Sequence, residues 1–195
     1  MNCSRETQAL IDWTEGKSGK PYRIQLEPTY KCNLKCVYCS RHNQTFDYES
    51  ELPTEKWIEI VRDAAEIGFK SVILSGEGDV IATPERTFEM IKEIKKQGME
   101  GSMITNATLF NPDMIEDIVR IGWDDMVISV DAPDKSHDDL AGVKGSFEKV
   151  YRNLKLFKYW KDKLGKEKPD ICFITVVTNK NYKKFGEIME LAHEV

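Results

Sequence analysis

The chain has 195 residues, enough for one domain that buries about seventy per cent of the surface its unfolded chain exposes. With 33 acidic against 28 basic residues the net charge is −5, which disfavours bulk electrostatic binding to DNA, RNA or an anionic membrane. A composition of 41% hydrophobic and 31% charged residues excludes both a disordered chain and a disulfide-stapled miniprotein.

Residues 1–21 read as a polar N-terminal leader and residues 22–195 as a single core domain with no internal linker. The leader has no apolar stretch of signal-peptide length, and no run reaches the roughly eighteen apolar residues of a membrane span, so the expected compartment is the cytoplasm. From residue 23 onward, short β-branched runs alternate with segments of helical period. Strands are expected at 23–27, 71–75, 101–105, 126–130 and 171–177.

The first helix carries Trp57, Val61, Ala64 and Ala65 on one face and stops before Gly68, a residue suited to a left-handed C-terminal position. The next two open on Thr83-Pro84 and Asn111-Pro112, a capping-type residue followed by Pro at the first helical position, and stop at Gly98 and Gly122. Two more span 146–164 and 181–193. Five strand-helix units predict an α/β fold, a parallel sheet with right-handed crossovers. Apolar runs such as 71–74 and 126–130, without clean alternation, suit strands covered on both faces, and a partial barrel is favoured over an open doubly wound sheet. The fifth strand would lack a neighbour, so either the chain is part of something longer or a partner chain or the leader covers that edge.

Three of the five cysteines, Cys32, Cys36 and Cys39, crowd into eight positions directly after the first strand. In a reducing compartment this reads as metal or redox chemistry. Three soft ligands suit an iron-sulfur cluster or zinc; His42 could close a Cys₃His zinc site, whereas three ligands alone leave a position open for chemistry. Both readings stand on the residues alone.

C-x₃-C-x₂-C after a first strand resembles the signature of the radical S-adenosylmethionine (SAM) superfamily, and the resemblance runs from Tyr22 to Leu191. It implies a partial (β/α)₆ barrel, here lacking its last strand. It also implies a [4Fe-4S] cluster on the three thiolates, with SAM bound to the fourth iron. Reductive cleavage of SAM then gives a 5′-deoxyadenosyl radical that abstracts hydrogen from a small-molecule or peptide substrate, with an external electron donor such as flavodoxin or ferredoxin.

Tyr38 holds the family's aromatic position beside adenine. Ser75-Gly76-Glu77-Gly78-Asp79-Val80 resembles the Gly-Gly-Glu-Pro segment that binds the methionyl amino group, with Glu77 and Gly78 at the glycines and Asp79 at the glutamate. Thr105-Asn106 resembles Thr-Asn-Gly, and Ser129-Val130-Asp131 the family's Ser-x-Asp, which makes Asn106, Ser129 and Asp131 contacts for SAM. The segment from His137 to Phe147 resembles peptide-modifying members that carry auxiliary clusters and often have Arg at the Ala141 position; Lys144 could substitute for it only as a point charge, without the bidentate fork. Thr178-Asn179 are candidates to face the substrate.

Other features read as structural. Gly16-Lys17-Ser18 fails as a phosphate-binding loop because Ile11 stands where its first glycine is required. Cys172 reads as core and Cys3 as a terminal thiol. His137, His193 and the lysines from 158 to 168 read as solvated. The competing function is a noncatalytic iron-sulfur or zinc module, or a half-barrel subunit.

Overall fold

A computed structural model describes residues 3–17 and 20–195, apart from the side chains of residues 3–6 and 42. The expectations for the Cys3 thiol, for Ser18 and for the His42 ring lie outside the described residues.

Strands β1 (Arg23–Leu26), β2 (Ser71–Leu74), β3 (Glu100–Thr105), β4 (Asp125–Ser129) and β5 (Asp170–Ile174) form one sheet in the order β1-β2-β3-β4-β5, every pair parallel. Each crossover therefore steps the same way to the adjacent position. Right-handed crossovers that never reverse direction keep the helices on one face, whereas a doubly wound sheet reverses and clothes both. This order selects the partial barrel.

The register assigns the two faces. Leu26, Leu74, Met103 and Met126 lie in line across the sheet and are buried, as is Ile128 two residues on. They pack in one core with Val61 of α2 (Thr54–Ile67), Met90 and Ile91 of α3 (Pro84–Lys96), Ile115 and Ile118 of α4 (Pro112–Ile121) and Phe157 of α6 (Ser146–Leu164). Full burial of one such side chain contributes roughly 1.5–3 kcal/mol. Ile73, Ile104, Val127 and Ser129 turn to the opposite, concave side and are only half-buried. The strands thus alternate in burial more cleanly than their apolar runs suggested, because helices cover one face and a cleft the other.

Local chemistry sets the helix ends. Asn111 Oδ1 accepts from Met114 N–H at 2.9 Å and Gly122 closes α4 with φ +72°. Thr83 precedes α3 but makes no capping bond, and its buried hydroxyl has no partner among the described residues. Gly101 is required by packing, since a Cβ there would stand 2.1 Å from the fully buried ring of Trp123.

The structure also corrects several expectations. The leader contains a helix, α1 (Cys3–Thr14), whose Ala9, Leu10 and Trp13 share a groove with Pro21 and Tyr22 at the start of β1. That places α1 beside the first strand, so the described leader does not cover the far edge at β5. A short helix, α5 (Ser136–Ala141), was not foreseen, and α7 (Phe185–Glu194) begins four residues later than expected. Asn181 is instead a clamp, donating to the carbonyls of Asp131 and Val176. Cys172 is exposed rather than core. It sits in register with Val127 on the concave side of an edge strand, where no helix covers it. The lysine run is partly engaged, with Lys161 donating to Pro169 O at 3.1 Å and Lys163 lying 4.3 Å from the Trp160 ring centroid. Among the described residues, no helix is long and apolar enough to cross a membrane.

Candidate active site

Barrels of this kind build sites at the C-terminal ends of their strands, and that is where the cysteine loop emerges from β1. Its leading leg is pinned from two sides. Lys31 O accepts from Asp79 N–H at 2.8 Å, locking the loop to the turn after β2. Thr29 Oγ1 and Tyr30 N–H both donate to Glu51 Oε1 at 2.8 Å, and Glu51 in turn pairs with Arg86 of α3 at 3.0 Å. Burial alone would raise the Glu51 carboxyl, but the donors from Tyr30, Thr29 and Arg86 outweigh it and hold the group below its ordinary 4.5. The trailing leg lies along α5, with Lys35 N–H on Ala141 O at 3.0 Å and Val37 N–H on Leu140 O at 2.9 Å.

Between these legs a cavity of about 480 Å³ opens. All ten residues singled out from the sequence line it: Cys32, Cys36, Cys39, Tyr38, Glu77, Gly78, Asp79, Asn106, Ser129 and Asp131. Lys144, Thr178 and Asn179 do not. Lys144 is exposed elsewhere and does not replace the Arg absent at Ala141, while Thr178 serves the loop by donating its N–H to Asn181 Oδ1 at 2.6 Å.

Within the cavity, three of the expected SAM contacts are already committed to the protein. Asp79, buried, receives Asn106 N–H at 2.7 Å, Ile81 N–H at 3.0 Å and the Thr105 hydroxyl at 3.0 Å. Burial pushes its carboxyl up against the pull of those donors. Asp131 receives the Tyr38 hydroxyl on Oδ2 and Val176 N–H on Oδ1 at 2.9 Å. Burial, and then the Asp131 carboxylate, raise the Tyr38 phenol far above its usual value. Asp79, Asp131 and the Tyr38 hydroxyl therefore shape the walls, while Glu77 is exposed and Ser129 half-buried at the surface of the cavity.

The turn after β3 carries a strained residue. Ala107, at the glycine position of the Thr-Asn-Gly pattern, adopts φ +56°, a left-handed conformation costing an Ala roughly 1–2 kcal/mol. Thr105 Oγ1 accepts its N–H at 3.0 Å and Asn153 donates to its carbonyl at 2.8 Å, so the turn is fixed at both ends.

One lining residue was misread. His137, against the expectation of a solvated side chain, is 2% exposed and lies one helical turn before Ala141 on α5, both facing the cavity. The four-residue spacing within 137–141 was the available signal, but a six-residue helix is too short to show a period. His137 Nδ1 accepts Asp131 N–H at 3.2 Å, which leaves the proton of the neutral ring on Nε2. Burial depresses its pKa below 6.5. The unfolded chain then takes up the proton first as pH falls, so the stability from the neutral ring is present above 6.5 and is lost below it. His137→Gln should flatten that part of the pH profile, read as a smaller drop in urea midpoint between about pH 7 and about pH 5 than in the parent.

The thiols fit a cluster. None of Cys32, Cys36 and Cys39 is in a disulfide, and all three are partly buried. Burial raises Cys32, and burial together with the neighbouring Cys32 pushes Cys36 up to about 11. Thiols that repel one another as thiolates and are partly desolvated require a cationic centre to hold them ionised. Among the described residues, no three His, Cys, Asp or Glu side chains converge tightly enough to enclose a single ion. A cluster asks less, because each thiolate takes a different iron.

The radical SAM superfamily profile matches residues 26–192. The chain belongs to the radical SAM superfamily. That membership assigns it a [4Fe-4S] cluster and SAM as cofactors. It is 31% identical over 172 residues to the tungsten-containing aldehyde ferredoxin oxidoreductase cofactor-modifying protein of Pyrococcus furiosus, covering 85% of this chain and 46% of the relative. An AdoMet-dependent heme synthase of Methanosarcina barkeri is 28% identical over 178 residues, covering 90% of this chain and 48% of that one. Among solved structures, SuiB of Streptococcus suis bound to S-adenosylmethionine superposes with TM-score 0.70 at 22% identity, covering 96% of this chain and 40% of SuiB. Native anSMEcpe with bound AdoMet gives 0.67 at 24%, covering 87% and 50%. These two share the radical SAM partial-barrel fold. The chain spans about half the length of the curated relatives it matches.

Proposed function

We propose that this chain is the SAM-cleaving core of a radical SAM oxidoreductase acting in the cytoplasm on an organic substrate, with a peptide as the favoured class. The observation that supports the reading is the meeting of three reduced thiols and seven further expected residues around one cavity at the strand ends. Cys32, Cys36 and Cys39 would hold the cluster. When bound and reduced by a donor such as flavodoxin or ferredoxin, it supplies the electron that splits the sulfonium S–C5′ bond of SAM into methionine and a 5′-deoxyadenosyl radical.

The protein's part is to bind, orient and exclude water. With Asp79 consumed by its own turn, the exposed Glu77 carboxylate becomes the acceptor for the methionyl ammonium, and the backbone at Gly78 gives close approach. Ser129 offers its hydroxyl to the ribose. Tyr38, tied to Asp131, forms a fixed wall beside the adenine. A second cavity of about 450 Å³ shares Glu27 and Glu77 with the first and extends past Tyr30 and Phe46, room for a substrate longer than a small metabolite. The peptide preference also draws on the segment from His137 to Phe147, and SuiB has been solved bound to its precursor peptide SuiA.

Anaerobic reconstitution of the full-length protein followed by reductant and SAM should release 5′-deoxyadenosine and methionine in equal amounts. A protein that takes up iron yet leaves SAM intact would be a binding module instead.

A further inference from the structure

We infer that Asn106 is a positioning residue for the Cys32 sulfur, donating an N–H···S hydrogen bond that raises the reduction potential of the cluster this thiolate would ligate. The inference rests on the ligand assignment proposed above and assigns Asn106 to the cluster side of the cavity rather than to SAM.

Asn106 directly follows β3 and is 8% exposed. Its amide orientation is decided by chemistry. Oδ1 accepts Thr108 N–H at 2.9 Å and the Thr108 hydroxyl at 2.6 Å, whereas a flipped amide would set its NH₂ against the Thr108 N–H, donor against donor. Nδ2 is therefore the end directed at the cysteine loop, where it meets Asn33 Oδ1 at 3.1 Å and Cys32 Sγ at 3.9 Å. Asn33 Nδ2 returns to Thr108 Oγ1 at 2.8 Å, so Asn33, Thr108 and Asn106 form a closed ring. One Nδ2 hydrogen completes that ring. The other remains for the sulfur.

The backbone beneath is held as firmly, with Asn106 N–H on Asp79 and Ala107 fixed in its left-handed turn. The long bond shown to a neutral thiol strengthens when the sulfur carries thiolate charge, because an ionised acceptor makes the stronger bond. Reduction adds electron density to the cluster and its thiolates. A donor aimed at one of them stabilises the reduced state more than the oxidised one and so raises the potential.

The test is the midpoint potential of the anaerobically reconstituted full-length protein, measured by redox titration followed by EPR. Asn106→Leu keeps the side-chain volume without the donor. Asn106→Asp keeps the oxygen that Thr108 needs, and serves if the Leu variant fails to fold. Both should load iron like the parent and titrate at lower potential. At the parent's midpoint the ratio of reduced to oxidised cluster should fall about tenfold, which is about 59 mV for one electron. Thr108→Val opens the ring but spares the donor, and should shift the potential by less than half as much. Unchanged potentials in both Asn106 variants would overturn the inference while leaving the ligand assignment intact, and so would a Thr108→Val shift as large as theirs. Failure of the parent itself to take up iron would instead overturn the ligand assignment, and this inference with it.

Discussion

Cys36→Ser is expected to bring iron content close to background and to abolish 5′-deoxyadenosine formation, with almost no change in the stability of the cluster-free fold. The two halves follow from different physics. Cys36 is partly buried on a loop outside the hydrophobic core, and exchanging its thiol for a hydroxyl should cost the cluster-free protein no more than ~1 kcal/mol. Among the described residues, no further thiol lines the cavity to take its place as a ligand. Asp79 and Asp131 are committed to backbone and side-chain donors, and the Cys172 thiol sits on the edge strand β5 rather than in the cavity lining. Iron quantification, product chromatography and urea unfolding of the cluster-free protein read the three quantities separately. SAM cleavage surviving in this variant would remove Cys36 from the ligand set.

Gly78→Ala is the second large effect, and it acts through space rather than chemistry. Gly78 has no left-handed backbone torsion, so an Ala there meets no conformational objection. Its Cβ would instead stand 2.5 Å from the carbonyl oxygens of both Thr29 and Lys31. Those atoms are main chain on the leading leg of the cysteine loop and cannot rotate away. Either the turn after β2 or the loop must shift, at about 3 kcal/mol, the upper end of overpacking costs. The shift would also break the bond from Asp79 N–H to Lys31 O that registers the two loops. We expect a lowered urea midpoint together with incomplete iron loading. A variant as stable and as iron-rich as the parent would show that this contact does not position the cysteines.

Much of this was legible in the sequence, because strand ends are written in local pattern. The spacing of Cys32, Cys36 and Cys39 and the polar residues closing β2, β3 and β4 mark the strand ends that line the cavity. Illegible were the tertiary partners. A carboxylate at Asp79 looks the same in sequence whether it meets a ligand or, as here, the N–H groups of Asn106 and Ile81. β5 was expected to reach residue 177 because Val176 and Val177 are apolar, but Val176 N–H bonds the Asp131 side chain instead of continuing the ladder. The burial of His137 is invisible to local periodicity because the partners around it are distant in sequence: the cysteine loop crosses α5 through Lys35 on Ala141 and Val37 on Leu140. Cys172 was misread because an apolar run does not say which strand of a sheet lies at its edge.

With the proposed ligand set, three protein thiolates leave one iron of the cluster open to SAM. The EPR spectrum of the reduced, reconstituted full-length protein, recorded before and after SAM is added, tests this most directly. Coordination of the SAM amino and carboxylate groups at the open iron should change the g-values of the signal. Superimposable spectra at saturating SAM would mean that the fourth iron is closed, and would contradict the claim.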